Sequence, residues 1–321
     1  MKRITLALSA LVAAFGLVTA DAQQGKTRIS IGTGGTGGVY YPLGGGLAAI
    51  LTKYVPGVDA TAEVTAGSIA NLQLISAGKS ELAFTMADAA WDAQNGLEKF
   101  KDKKIPLRSI AVFYPNRMQV ISIEGKGINK FSDLKGKRVS TGAPASGTEV
   151  MAMRLIEAFG LDPDKDMTRE RLSVAESVNA LKDRKIDALF WVGGVPTPSI
   201  TDLAATPGMK IKVIDHGDGA ENMRKKYGPI YVKNKILARA YPGDDVDTTN
   251  VDVWNLLVVP ENADEKLVYE ITKVLFEKKE ELVRVHKDAS FLELANQTTN
   301  ASPIPFHPGA LRYFKEKGLK F

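Results

Sequence analysis

The chain has 321 residues, 44% of them hydrophobic and 25% charged, which is ordinary globular composition and enough for two domains. Its 42 basic and 37 acidic residues leave a net charge of +5, spread along the chain rather than clustered as nucleic-acid binding requires. With no cysteine, thiol nucleophiles and thiolate metal sites are excluded, and His216, His286 and His307 lack the close spacing of zinc ligands. No metal and no cofactor is expected.

Residues 1–22 read as a signal peptide. Lys2 and Arg3 form a basic start, Ile4 to Val18 is almost wholly apolar, and Ala20-Asp21-Ala22 has the small-x-small pattern of a cleavage site. The apolar run is too short to span a bilayer comfortably, and no later stretch is long and apolar enough to do so. The mature protein is expected to be free in solution in the periplasm.

From residue 27 onward strands and helices alternate. Thr27–Ile31 reads as a strand, followed by a glycine-rich loop through Tyr41. Pro42 then suits the first turn of a helix with Leu43, Leu47, Ile50, Leu51 and Tyr54 on one face. A second strand falls near Asp59–Thr65, Ser68 caps a helix through Ile75, and Glu81–Met86 forms a third strand. The plan returns with a strand at Lys137–Thr141, a loop, a helix at Thr148–Phe159, a strand at Arg171–Val174 and a helix ending near Lys182. Lys185–Phe190 echoes Lys79–Phe84. Two such units predict two parallel-sheet lobes. Val251–Val259 is a strongly apolar strand before a long helix from about Asp264 through His286, and a short helix at Pro308–Lys317 closes the chain. Lobe I is therefore placed at 27–117 plus 250–321 and lobe II at 118–249. The two crossings form a hinge, with a ligand cleft between the lobes.

Eight glycines lie between Gly32 and Gly46, more than a tight turn needs. A glycine-rich loop leading into a helix presents backbone N–H groups to an anion. Thr33, Gly35, Thr36, Gly37 and Tyr40 are the candidates in that loop. Gly32-x-Gly34-x-x-Gly37 satisfies the dinucleotide fingerprint formally, but the acidic residue expected after the second strand is not clean. Gly142 to Thr148 approaches a phosphate loop yet places Thr148 where the lysine belongs, so Ser146, Gly147 and Thr148 suit a carboxylate rather than a triphosphate. No nucleophile elbow or Ser/His/Asp set can be nominated, so no catalytic residue is expected. Arg117, beside Tyr114-Pro115-Asn116, is the leading charge partner for a carboxylate, with Arg239 second.

These segments carry a resemblance. Gly34 to Gly44, Thr65 to Leu72, Thr141 to Glu149, Gly193 to Pro196, Tyr241-Pro242-Gly243 and Val251 to Val259 together resemble the TAXI family, solute receptors of one branch of the tripartite ATP-independent periplasmic (TRAP) transporters. The resemblance implies a two-lobed α/β periplasmic-binding-protein fold of type II. It also implies delivery of a carboxylate-bearing organic anion to membrane permease subunits, and it adds Ser68, Asn71, Asp88, Trp191, Gly193 and Gly194 to the candidate ligand contacts. Departures bear on the cargo. Thr85-Met86-Ala87-Asp88 stands where the family often has Val-Gln-x-Asp, and Leu237-Ala238-Arg239-Ala240-Tyr241 where it has Pro-Ala-Gly-Thr-Tyr. With Phe190 and Trp191, Met86 favours a ligand with a substantial apolar part. The receptor is expected to be a monomer, and the alternative is a ligand-sensing module for a receptor kinase.

Overall fold

The computed structural model describes residues 26–321, and the expected signal peptide lies outside them. The first strand, β1 (Thr27–Gly32), leads through the glycine-rich loop into α1 (Tyr40–Tyr54), which buries Leu43, Leu47, Ile50 and Leu51. Next come β2 (Val58–Glu63), α2 (Ser68–Ser76), the fully buried β3 (Leu82–Met86) and α3 (Ala87–Asn95), which Gly96 ends in a left-handed conformation. A 17-residue strand, β4 (Leu107–Ile123), leads into β5 (Arg138–Ser140), α4 (Gly147–Ala158), β6 (Thr168–Glu170), α5 (Val174–Lys182) and β7 (Ala188–Gly193). Then follow α6 (Pro198–Ala205), β8 (Ile211–Val213), α7 (Gly219–Tyr227), β9 (Val232–Ile236) and the 13-residue β10 (Thr248–Pro260). The chain closes with α8 (Glu265–Glu277), α9 (Lys279–Val285), a short helical turn at Lys287–Phe291, and α10 (Pro308–Glu316).

The sheet runs β2-β1-β3-β10-β4-β7-β5-β6, with β8 joined to β4 and β9 to β10. Pairing is parallel among β1, β2 and β3 and again among β5, β6 and β7, and antiparallel wherever β4 or β10 takes part. One parallel unit therefore belongs to each lobe, and the two long strands join them. Lobe one holds α1–α3 and the C-terminal helices, and lobe two holds α4–α7. The largest apolar cluster includes Ile29, Leu47 and Phe84 of lobe one, Val112 and Val258 of the long strands, and Met151, Leu155 and Phe190 of lobe two.

Several expectations shift. Arg171–Val174 is not a strand: β6 lies earlier, and Ser173 starts α5 through a capping box with Glu176. The long C-terminal helix breaks at Lys278 into α8 and α9, with Asp264 capping the first by accepting from the Leu267 amide at 2.8 Å. Tyr114-Pro115-Asn116, for which no element was expected, lies in the middle of β4, where Pro115 lies opposite Trp254 next to a register shift. That irregularity is where a central strand tolerates proline.

Candidate functional site

A cavity of about 70 Å³ lies between the lobes. At roughly 10–15 Å³ per water, it has room for a small organic molecule. Its wall is built from the starts of four helices. Val39 and Tyr40 begin α1, Gly67 and Ser68 begin α2, Ser146, Gly147 and Thr148 begin α4, and Ser173 and Val174 begin α5. Each lobe supplies two positive dipole ends. Ser146 and Ser173 cap their helices by accepting from the Glu149 and Glu176 amides at 3.0 and 3.3 Å. The α1 and α2 starts have no side-chain cap. The Ser68, Gly147 and Thr148 amides donate to no partner among the described residues.

Among the described residues no charged side chain lines this cavity. Its polar side chains are hydroxyls and the Trp191 indole, and its apolar wall includes Met86, Leu172, Val174 and Val192. Trp191 donates through Nε1 to the Thr197 hydroxyl at 2.9 Å, which fixes the ring over the cavity. The Tyr40 hydroxyl accepts from Asn116 Nδ2 at 3.1 Å, and burial first of all raises its pKa. Burial likewise pushes the Tyr114 hydroxyl well above its ordinary value.

Of the residues singled out in the sequence, Gly35, Tyr40, Ser68, Ser146, Gly147, Thr148, Trp191 and Gly193 come together on the wall. The other seven lie off it, each for a physical reason. Thr33 is buried and donates to the Glu63 carbonyl at 2.5 Å. Thr36 points to solvent. Asn71 donates to the Thr33 and Phe84 carbonyls at 2.7 and 2.8 Å, tying the glycine loop to β3. Gly37 accepts from the Ser199 amide of lobe two at 3.2 Å, and Gly194 abuts Asp288. Arg117 pairs with buried Asp288 at 3.4 Å, and both line a separate groove with Arg239. Neither arginine lines this cavity.

Asp88 is part of a buried contact between lobes. Arg154 of α4 donates to Asp92 at 2.6 Å and to the Tyr231 hydroxyl at 2.8 Å, and lies 3.7 Å from Asp88; Tyr231 in turn donates to Asp88 at 2.8 Å. Burial raises the Asp88 carboxyl and lifts that of Asp92 to about 6. Further direct contacts are the Ala70 amide on the Ala145 carbonyl at 3.1 Å and the Val195 amide on Asp288 at 2.8 Å.

The glycines make this approach possible. A Cβ on Gly38 would lie 2.9 Å from the Trp191 ring, and one on Gly147 would overlap Met86 Sδ and Ser68 Oγ across the cleft. One on Gly35 would meet nothing within 4 Å. Sequence reasoning missed Thr65, Tyr114, Leu172, Ser173, Val174 and Val192 on the wall. For Ser173 a signal existed in Ser173-x-x-Glu176, which is a capping box.

Two lobes around a cleft cavity, each facing it with helix N-termini, define the class of type II periplasmic binding proteins. The chain is similar to the periplasmic aliphatic sulphonate binding protein SsuA from Escherichia coli, with a TM-score of 0.51 at 15% identity over 90% of this chain and 82% of that one. It is similar to the alkanesulfonate-binding protein SsuA from Xanthomonas axonopodis pv. citri bound to MOPS, with a TM-score of 0.51 at 14% identity over 91% and 84%. A Listeria monocytogenes protein described as an L-cystine ABC transporter matches with a TM-score of 0.50 at 17% identity over 83% and 95%. Residues 31–318 match the NMT1-like family, and the chain belongs to it. No helix among the described residues is long and apolar enough to cross a membrane.

Proposed function

We propose that the protein is an exported solute receptor, not an enzyme, that closes 27–117 plus 250–321 against 118–249 around a carboxylate-bearing organic anion and hands it to a TRAP-type permease. One observation carries this reading: four helix N-termini, two from each lobe, converge on one cavity. Either lobe alone offers half of the donors, so binding favours the closed form. Closure also excludes water, which strengthens each hydrogen bond to the anion.

The TAXI resemblance supports the TRAP partner, and its segments Gly34 to Gly44, Thr65 to Leu72 and Thr141 to Glu149 contribute to the cavity wall. The solved structures of similar shape come at 14–17% identity and carry the fold alone. Export rests on the signal-peptide pattern of residues 1–22.

The test is a thermal-shift screen of residues 23–321 against mono-, di- and aromatic carboxylates, with sugars and polyamines as contrast. A rise of several degrees with carboxylates alone is expected, since a ligand bound to the native state raises the melting point. A rise with sugars or polyamines instead would overturn the anion reading. Uptake by the reconstituted permease, driven by an ion gradient without ATP, tests the TRAP partner.

A further inference from the structure

The cavity selects against one common class of organic acid. A zwitterionic amino acid needs a carboxylate or a cluster of acceptors for its ammonium, because an unpaired buried charge is strongly disfavoured. Among the described residues the wall holds no Asp or Glu, and each helix start turns its positive end inward. An ammonium would therefore meet hydroxyls but no carboxylate, and the helix ends would repel it.

A second observation marks the floor. Tyr114 of β4 is fully buried, lines the cavity, and its hydroxyl has no hydrogen-bond partner among the described residues. Neither does the Asn255 side-chain amide of β10, which sits at the register shift between the two long strands. The Tyr114 hydroxyl faces the Asn255 side chain, and since buried polar groups are ordinarily satisfied, a ligand oxygen reaching this pair would complete its hydrogen bonding. The apolar wall of Met86, Leu172, Val174 and Trp191 leaves the rest of that ligand hydrocarbon.

We infer that the cavity takes a singly charged organic acid without an amino group, its headgroup among the helix N-termini, its apolar body against Trp191 and Met86, and one of its oxygens accepting from Tyr114. The inference rests on the solute-receptor reading and narrows its cargo.

Isothermal titration of residues 23–321 with 4-methyl-2-oxopentanoate, L-leucine and 4-methylpentan-2-one tests it, because the three share a carbon skeleton. The first two differ in an oxo against an ammonium group, and the ketone lacks the carboxylate. The oxo acid is expected to bind at least tenfold tighter than either, and Tyr114→Phe to weaken it at least fivefold with an unchanged melting temperature. Leucine binding as tightly as the oxo acid overturns the inference but leaves a receptor. Equal binding of the ketone overturns the anion assignment, and an unaffected Tyr114→Phe removes the tyrosine from recognition. Butane-1-sulfonate, run in parallel, separates a carboxylate site from a general monoanion site. Silence from all probes overturns the inference, and a carboxylate response in the wider screen would then still preserve the receptor reading.

Discussion

The contact that commits most charge to the closed arrangement is Arg154 between Asp88 and Asp92. All three side chains are at least nine-tenths buried, with Asp92 at 2.6 Å and Asp88 at 3.7 Å from the guanidinium. Replacing Arg154 with leucine leaves two carboxylates facing each other without a cation. Removing one partner of a buried ion pair typically destabilises by about 3–5 kcal/mol. An independent figure is of the same size: neutralising one of the two carboxyls, of ordinary pKa 3.8, at pH 7 takes roughly 4 kcal/mol. At about 2 °C per kcal/mol for a protein of this size, the melting temperature should fall by roughly 6–10 °C.

The location adds a second readout. Asp88 and Asp92 belong to α3 in lobe one, whereas Arg154 belongs to α4 in lobe two. If the triad joins the lobes, Arg154→Leu increases the radius of gyration in X-ray scattering, and adding Asp88→Asn and Asp92→Asn recovers much of the melting temperature. A fall below 2 °C with an unchanged radius would refute the reasoning.

Three further outcomes follow from the same geometry. Gly147→Ala puts a methyl against Met86 Sδ and Ser68 Oγ across the cleft and should weaken ligand binding at least tenfold in titration, whereas Gly35→Ala, with nothing within 4 Å, should stay within threefold. Arg117→Ala removes the partner of buried Asp288 and should lower the melting temperature by a few degrees in calorimetry, with ligand affinity little changed. Burial raises the Asp92 carboxyl to about 6, so its ionised form disfavours the native state above that pH and the penalty is relieved as pH falls toward 4. The melting temperature of wild type should therefore rise relative to Asp92→Asn as pH drops from 7 to 5.

The parts of the fold legible in the sequence were those set by local pattern. β1, α1, β3 and β10 fall within a few residues of their expected bounds, because each joins a clear period to glycine or proline punctuation. β4 was hidden: no element was expected between Met86 and Lys137, and only pairing with β10 makes Leu107–Ile123 a strand. Register between segments more than a hundred residues apart has no local signature, and tertiary pairing overrides propensity. The same limit governed the site. Helix starts with Ser, Gly and Thr could be read as anion donors, but Arg117 and Asp88 looked like ligand groups because their partners, Asp288 and Arg154, are distant in the chain.

The glycine-rich loop shows how two demands share one stretch of sequence. Anion binding needs exposed amides, and close approach of two lobes needs missing side chains. Gly35 answers the first demand, having open space at its Cβ and a place on the wall. Gly37 and Gly38 answer the second: Gly37 receives the Ser199 amide, and Gly38 lies under the Trp191 ring. Gly44 and Gly46 answer neither, since a Cβ there would meet Thr33 or Leu282 inside lobe one. An excess of glycine beyond what a turn requires is thus a sign of something packing closely on the backbone, and only the fold separates ligand, opposite lobe and neighbouring helix.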